Sequence, residues 1–258
     1  MKLFSKEYGK GYPVIILHGL LGSSDNWHPI AKRLENRFRV ITVDLRNHGR
    51  SPHAEVFNYE IMARDIADLL DEKQVSASHF IGHSLGGKVA MEVSLTYPKR
   101  IGKLIIVDIN PKTYQPYYEN IFETVKNLNL DCITSRKEAE EKFIPSVPDR
   151  LVRLFLLKNL YRDSQGKYKW KININGLAKN YDNIWVGIKE DSRVPYSGPV
   201  LFIRGALSDA IRDQDILHIQ KLFLKAQIVT VPDAGHWIHA THPDTFTRIV
   251  FDFFKPAK

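Results

Sequence analysis

The sequence predicts an α/β protein: one mostly parallel sheet with helices on both faces and a helical segment inserted after the middle strands. Three observations predict it. Short apolar runs alternate with amphipathic stretches through residues 14–108 and again through 200–254, the pattern of repeated strand–helix–strand units. Several runs, Val14-Ile15-Ile16-Leu17 among them, are continuous rather than alternating, as strands buried on both faces are. Between about residues 111 and 198 the rhythm breaks, and it resumes at Val200.

In chain order, residues 1–8 are read as an antiparallel edge strand. Strands follow at 14–18, 39–43, 79–81, 103–108, 200–204 and 227–231. The stretch 59–70 sets Met62, Ile66, Leu69 and Leu70 at helical spacing. A helix over 85–97 follows its strand after only a few residues. A helix over 243–254 opens on Pro243, a residue suited to a first turn, with Thr241 or His242 ahead of it. Within the break, 121–128, 135–143 and 149–160 have helical patterns, and a polar, irregular stretch comes after them. Residues 111–198 are therefore expected to form a cap subdomain inserted into one domain spanning residues 1–258.

Composition narrows the function classes. The chain has 258 residues, 43% apolar and 26% charged, ordinary for a globular protein. Its single cysteine, Cys132, has no partner for a disulfide and no metal-type spacing, which fits a reducing compartment. The apolar run 14–17 is too short for a signal-peptide core or a membrane span, so a soluble, cytoplasmic protein without stable membrane insertion is expected. The net charge is +8, and residues 111–198 carry 15 Lys/Arg against 11 Asp/Glu. No run of five like charges or nucleic-acid motif accompanies the surplus, so no nucleic-acid partner is expected.

Three loops carry the chemistry. Gly82-His83-Ser84-Leu85-Gly86-Gly87 lies between an apolar strand and a helix. This is the nucleophile-elbow pattern G-x-S-x-G, which needs small residues where strand and helix cross and lifts the serine hydroxyl to the C-terminal edge of the sheet. His18-Gly19-Leu20-Leu21-Gly22 follows the first parallel strand. Acyl transfer needs aligned N–H donors for its oxyanion. The Leu85 amide at a helix N-terminus is one candidate; the Leu20 amide is the other, ahead of Leu21. Asp233-Ala234-Gly235-His236-Trp237 follows the last strand and supplies the base a serine hydroxyl needs. His236, His239 and His242 are three residues apart. They are not read as a metal site, because a metal on His236 removes that base. His18, His48 and His83 are read as bracing the site.

The base is oriented by a carboxylate that lies between serine and histidine in chain order. Asp108, ending one strand, and Asp209, following the next, both satisfy that order. The frequent G-x-x-D spacing lands on Ser208, one residue short of Asp209, so spacing leaves both open. Asp44 precedes Ser84 and is read as holding its own loop.

The segments HGLLGSSDNW, VDLRNHGRS, FIGHSLGGKVAM, LIIVDINP and AGHWIHATHP resemble the α/β-hydrolase superfamily and, within it, the small bacterial esterases of the YbfF type. The resemblance spans the whole chain, cap included. It implies a carboxylesterase or acyl thioesterase for short to medium acyl chains, working without a cofactor on a small-molecule ester or thioester. It also implies an acid at the position of Asp108, although this chain has a carboxylate at Asp209 that the YbfF type tends to lack. The expected triad is therefore Ser84, His236 and Asp108, with Asp209 as the alternative acid. The alternatives in function are a lyase or C–C bond hydrolase using the same triad, and a binding protein that has lost catalysis.

Overall fold

The structure, a computed structural model, describes residues 1–115, 119–190 and 193–255. Its strands are β1 (Ser5–Tyr8), β2 (Tyr12–Leu17), β3 (Phe38–Val43), β4 (Ser78–His83), β5 (Ile101–Val107), β6 (Leu160–Arg162), β7 (Tyr168–Trp170), β8 (Val200–Gly205) and β9 (Ala226–Val231). Seven of them form one sheet in the order β1-β3-β2-β4-β5-β8-β9. All its pairings are parallel except that of β1, which runs antiparallel along β3. β1 begins at Ser5, later than the expected edge strand.

The inner parallel strands β2, β3, β4, β5 and β8 are apolar at their centres, as in Val14–Leu17, Leu104–Val107 and Val200–Ile203, because side chains there alternate between two covered faces. Ile15, Leu17, Phe80, Leu104, Ile106 and Phe202 pack on one side, with α2 (Tyr59–Glu72) and α3 (Leu85–Thr96). Val14, Ile16, Ile81, Ile105, Val107 and Ile203 pack on the other, with α1 (His28–Leu34) and α11 (Pro243–Phe254). No helix among the described residues is long and apolar enough to cross a membrane.

After β5 the chain leaves the sheet and returns at β8. It builds α4 (Glu119–Asn127), α5 (Arg136–Phe143), α6 (Arg150–Leu157), the antiparallel ribbon β6–β7, α7 (Ile174–Lys179) and α8 (Tyr181–Trp185). α6 stops at Leu157, three residues before its expected end, because Leu160 pairs with Trp170 in the ribbon and the Asn159 amide reaches the Leu21 carbonyl at 2.6 Å. The stretch read as irregular contains the ribbon and α7. α9 (Ile216–Leu222) and α10 (Ile238–Thr241) complete the helices described.

Register places the site. Leu17 pairs with Gly82, His83 with Val107, Val107 with Ile203, and Gly205 with Val231. The loops after β2, β4, β5, β8 and β9 therefore leave the sheet along one C-terminal edge.

Candidate active site

Ser84 stands between β4 and α3 with φ 52° and ψ −119°, a strained backbone for a residue with a side chain. Two glycines make the turn feasible. A Cβ on Gly82 would collide with the Gly86 carbonyl, and one on Gly86 would meet the His18 carbonyl oxygen at 2.6 Å. Ser84 is largely buried, and among the described residues its hydroxyl makes no hydrogen bond.

His236 sits in the loop after β9. Its Nδ1 donates to Asp108 Oδ2 at 2.8 Å. Its carbonyl accepts from His83 Nε2 at 3.0 Å, and the two imidazoles stand 4.6 Å apart, so the His236 loop rests on the residue preceding Ser84. Asp108 directly follows β5 at φ 49° and is fully buried. It also accepts from the Gly205 amide at 3.0 Å and from the Ser208 hydroxyl. Asp209 is elsewhere: its side chain is 86% exposed and pairs with Arg212 at 3.2 Å. Ser208 is the site residue that sequence reasoning missed. The signal was the G-x-x-D spacing, which landed on it.

The loop after β2 is braced by neutral histidines. His18 Nδ1 donates to the Gly19 carbonyl at 2.8 Å and its Nε2 accepts from the Leu45 amide at 3.0 Å. His48 Nδ1 donates to the Arg46 carbonyl at 2.9 Å and its Nε2 accepts from the Leu21 amide at 3.1 Å. Burial pushes His18 and His83 down, and His48 down to about 3. The Leu21 amide is thus occupied, whereas those of Leu20 and Leu85 have no acceptor among the described residues. Leu20, Ser84 and Leu85 border one cavity. Asp44 accepts from the Ser24 amide at 2.6 Å and the Arg50 amide at 2.9 Å, holding its own loop.

The three spaced histidines diverge. His239 is buried in a stack on Trp27, ring centroids 4.1 Å apart, and burial pushes it down to about 3. His242 Nδ1 meets Thr241 Oγ1 at 2.8 Å. The described residues contain no group of three side chains poised for a metal.

Two spaces adjoin Ser84 and His236. A cavity of about 20 Å³ reaches Ser84 between Leu20, Tyr59, Lys88, Ile109, Tyr114 and Trp185. An open cleft of about 640 Å³ flanks His236 and Trp237, with Leu207 and Arg212 along its other side. Lys112 and Arg212, two cations of this cleft, are each paired, with Asp215 at 2.9 Å and with Asp209.

The alpha/beta hydrolase fold family model matches residues 12–243. An sn-1-specific diacylglycerol lipase of Danio rerio, ABHD11, is 38% identical over 96% of this chain and 80% of its own length. Esterase YbfF of Escherichia coli strain K12 is 35% identical over 92% of this chain and 91% of its own. The solved structure of a marine microorganism esterase is 41% identical, superposes with a TM-score of 0.95, and covers 98% of this chain and 99% of that one. The strand order, the elbow turn and these likenesses agree: the chain belongs to the α/β-hydrolase family and is a hydrolase of that family.

Proposed function

We propose that the chain is a serine carboxylesterase for short to medium acyl esters or thioesters, working through Ser84, His236 and Asp108. The observation that carries this is the fully buried Asp108 carboxylate 2.8 Å from His236 Nδ1, in a loop resting on the elbow that presents Ser84. Asp108 fixes the imidazole with its proton on Nδ1, leaving Nε2 as acceptor. Nε2 takes the Ser84 proton as the hydroxyl attacks the acyl carbon. The oxyanion then rests on the Leu20 and Leu85 amides, the second at a helix N-terminus where negative charge is favoured. His236 hands its proton to the leaving alcohol or thiol, which departs through the cleft beside it. Water repeats the sequence on the acyl-enzyme. Residues 111–198 act as the cap, its ends lining both spaces: Lys112 to Gln115 the cleft, and Tyr114, Ile184 and Trp185 the cavity.

The relatives named as esterases and a diacylglycerol lipase support carboxylic esters as the substrate class. The paired charges of the cleft support an uncharged leaving group over a phosphorylated one. The test is labelling with a fluorophosphonate probe and mass spectrometry of the adduct. The expected result is an adduct on Ser84, absent in Ser84→Ala and at least a hundredfold slower in His236→Ala. No adduct on folded wild-type protein refutes the proposal.

A further inference from the structure

Lys88 lies on α3 four residues after Ser84, one helical turn along the same face. It is 2% exposed. A buried ammonium is costly without compensation, and among the described residues no carboxylate pairs with it. Its three donors go to three backbone carbonyls instead: Pro111 at 3.3 Å, Lys112 at 2.5 Å and Val186 at 2.9 Å.

These carbonyls belong to two different segments. Pro111 and Lys112 lead from β5 into the insertion, and Val186 leads out of it after α8. The two stems also hold one another. The Ile188 amide donates to the Pro111 carbonyl at 2.7 Å, the Tyr114 amide to the Trp185 carbonyl at 2.9 Å, and the Gly187 amide to Thr113 Oγ1 at 2.8 Å. From α2, Tyr59 donates to the Ile184 carbonyl at 2.5 Å. Among the described residues, Lys88 is thus the one side chain of the nucleophile helix that hydrogen-bonds to both stems.

The stems are also the walls of the cavity behind Ser84: Ile109 and Tyr114 on the first, Ile184 and Trp185 on the second. That cavity holds about 20 Å³, room for about one water molecule. A space of that size takes little more than an acetyl methyl; a longer acyl chain needs the walls to yield, and the grip of Lys88 opposes parting of the two stems.

We propose that Lys88 is a specificity-determining positioning residue: by tying both stems to the nucleophile helix it limits the length of acyl chain admitted behind Ser84. This rests on the reading of Ser84 as nucleophile and of the small cavity as its acyl side. A packing role alone is better served by an apolar residue of the same length, which carries no charge to bury. The groups facing Lys88 bear on its proton. Tyr59 stands on α2, with its ring centroid 5.8 Å from Nζ. Tyr114, at 5.3 Å, and Lys112, which is paired with Asp215, stand on the first stem. The second stem offers the Val186 carbonyl. Burial, with Lys112 adding to it, pushes the ammonium down to about 7. Above that pH the amine keeps two N–H groups for three carbonyls, and the grip slackens.

The test measures kcat/KM for p-nitrophenyl acetate and octanoate, with a fluorophosphonate of short alkyl chain to count active sites. Lys88→Met keeps length and removes every donor. The octanoate-to-acetate ratio is expected to rise at least tenfold in Lys88→Met. In the wild type it is expected to climb severalfold between pH 6 and 8.5, and in the variant to stay flat. The ratio cancels any pH dependence of the chemical steps, which both esters share, and a merely structural role moves both esters together. If Lys88→Met does not fold, Lys88→Gln and the wild-type pH series carry the test. A ratio unchanged within twofold by substitution or by pH, in protein that the probe labels, overturns this proposal alone. Wild-type protein that neither labels nor turns over either ester overturns the hydrolase reading with it.

Discussion

Asp108→Asn, set against Asp209→Asn, is the sharpest test of which carboxylate serves His236. The Asp108 carboxylate is fully buried and accepts from His236 Nδ1 at 2.8 Å, from the Gly205 amide at 3.0 Å and from the Ser208 hydroxyl. Asparagine retains the oxygen facing Gly205 and places an amide donor where Oδ2 was. A donor opposite Nδ1 favours the imidazole tautomer with its proton on Nε2, and that tautomer has no lone pair for the Ser84 proton. In hydrolases with this type of triad the exchange lowers turnover about 10⁴-fold, or about 5 kcal/mol of transition-state stabilisation. Asp209 makes an exposed pair with Arg212, and exposed pairs contribute about 0–1 kcal/mol. Asp209→Asn is therefore expected to keep activity within about fivefold. The assay is steady-state hydrolysis of p-nitrophenyl butyrate, with thermal melts to establish that both variants fold. An Asp108→Asn enzyme retaining more than about a hundredth of wild-type kcat, or an Asp209→Asn enzyme losing more than it, refutes the reasoning.

Ser208→Ala removes one of the three donors on Asp108; a hydrogen bond to a charged group contributes about 1.5–3 kcal/mol, so kcat/KM is expected to fall roughly ten- to hundredfold with the fold intact, as ester kinetics and circular dichroism will show. His48 and His239 are both pushed down to about 3 by burial. The unfolded chain therefore takes up protons that the folded one refuses as pH falls from 6.5 toward 3, and stability present above 6.5 is lost across that window. Urea titrations at several pH values are expected to show His239→Phe flattening the slope by about 1.4 kcal/mol per pH unit; an unchanged slope counts against a neutral His239. Gly86→Ala forces a Cβ onto the Leu17 and His18 carbonyls, so a melting temperature lowered by several degrees and slower fluorophosphonate labelling are expected, and wild-type values for both argue against the tight crossing.

The sheet was legible because strands buried on both faces leave unbroken apolar runs. Val14–Leu17 and Leu104–Val107 have no polar residue to confuse them. The elbow was legible because Gly82 and Gly86 answer a steric demand at fixed spacing. The ribbon β6–β7 was not, since strands of three residues with exposed Tyr161, Arg162 and Lys169 carry no period. α1 was not foreseen either: its seven residues, opening at His28-Pro29, make only about two turns, too few to display a helical period. The roles of Asp108, Ser208 and Lys88 depend on which loops meet across the sheet edge. Local spacing offered two acids, landed on the serine without revealing its part, and passed over the lysine.

Because the residue after β5 supplies the carboxylate that touches His236, the end of β8 and the loop after it offer that carboxylate one amide, at Gly205, and one hydroxyl, at Ser208. Ile211 of that loop is buried in the core, whereas the side chains of Leu207, 74% exposed, and of the Asp209–Arg212 pair face the cleft and solvent. Substitution at these exposed positions leaves the contacts to the Asp108 carboxylate in place. The loop also offers a route for the acid itself to migrate in evolution. An exchange of Ser208 for aspartate puts a second carboxylate at the spacing favoured elsewhere in the fold, beside the first.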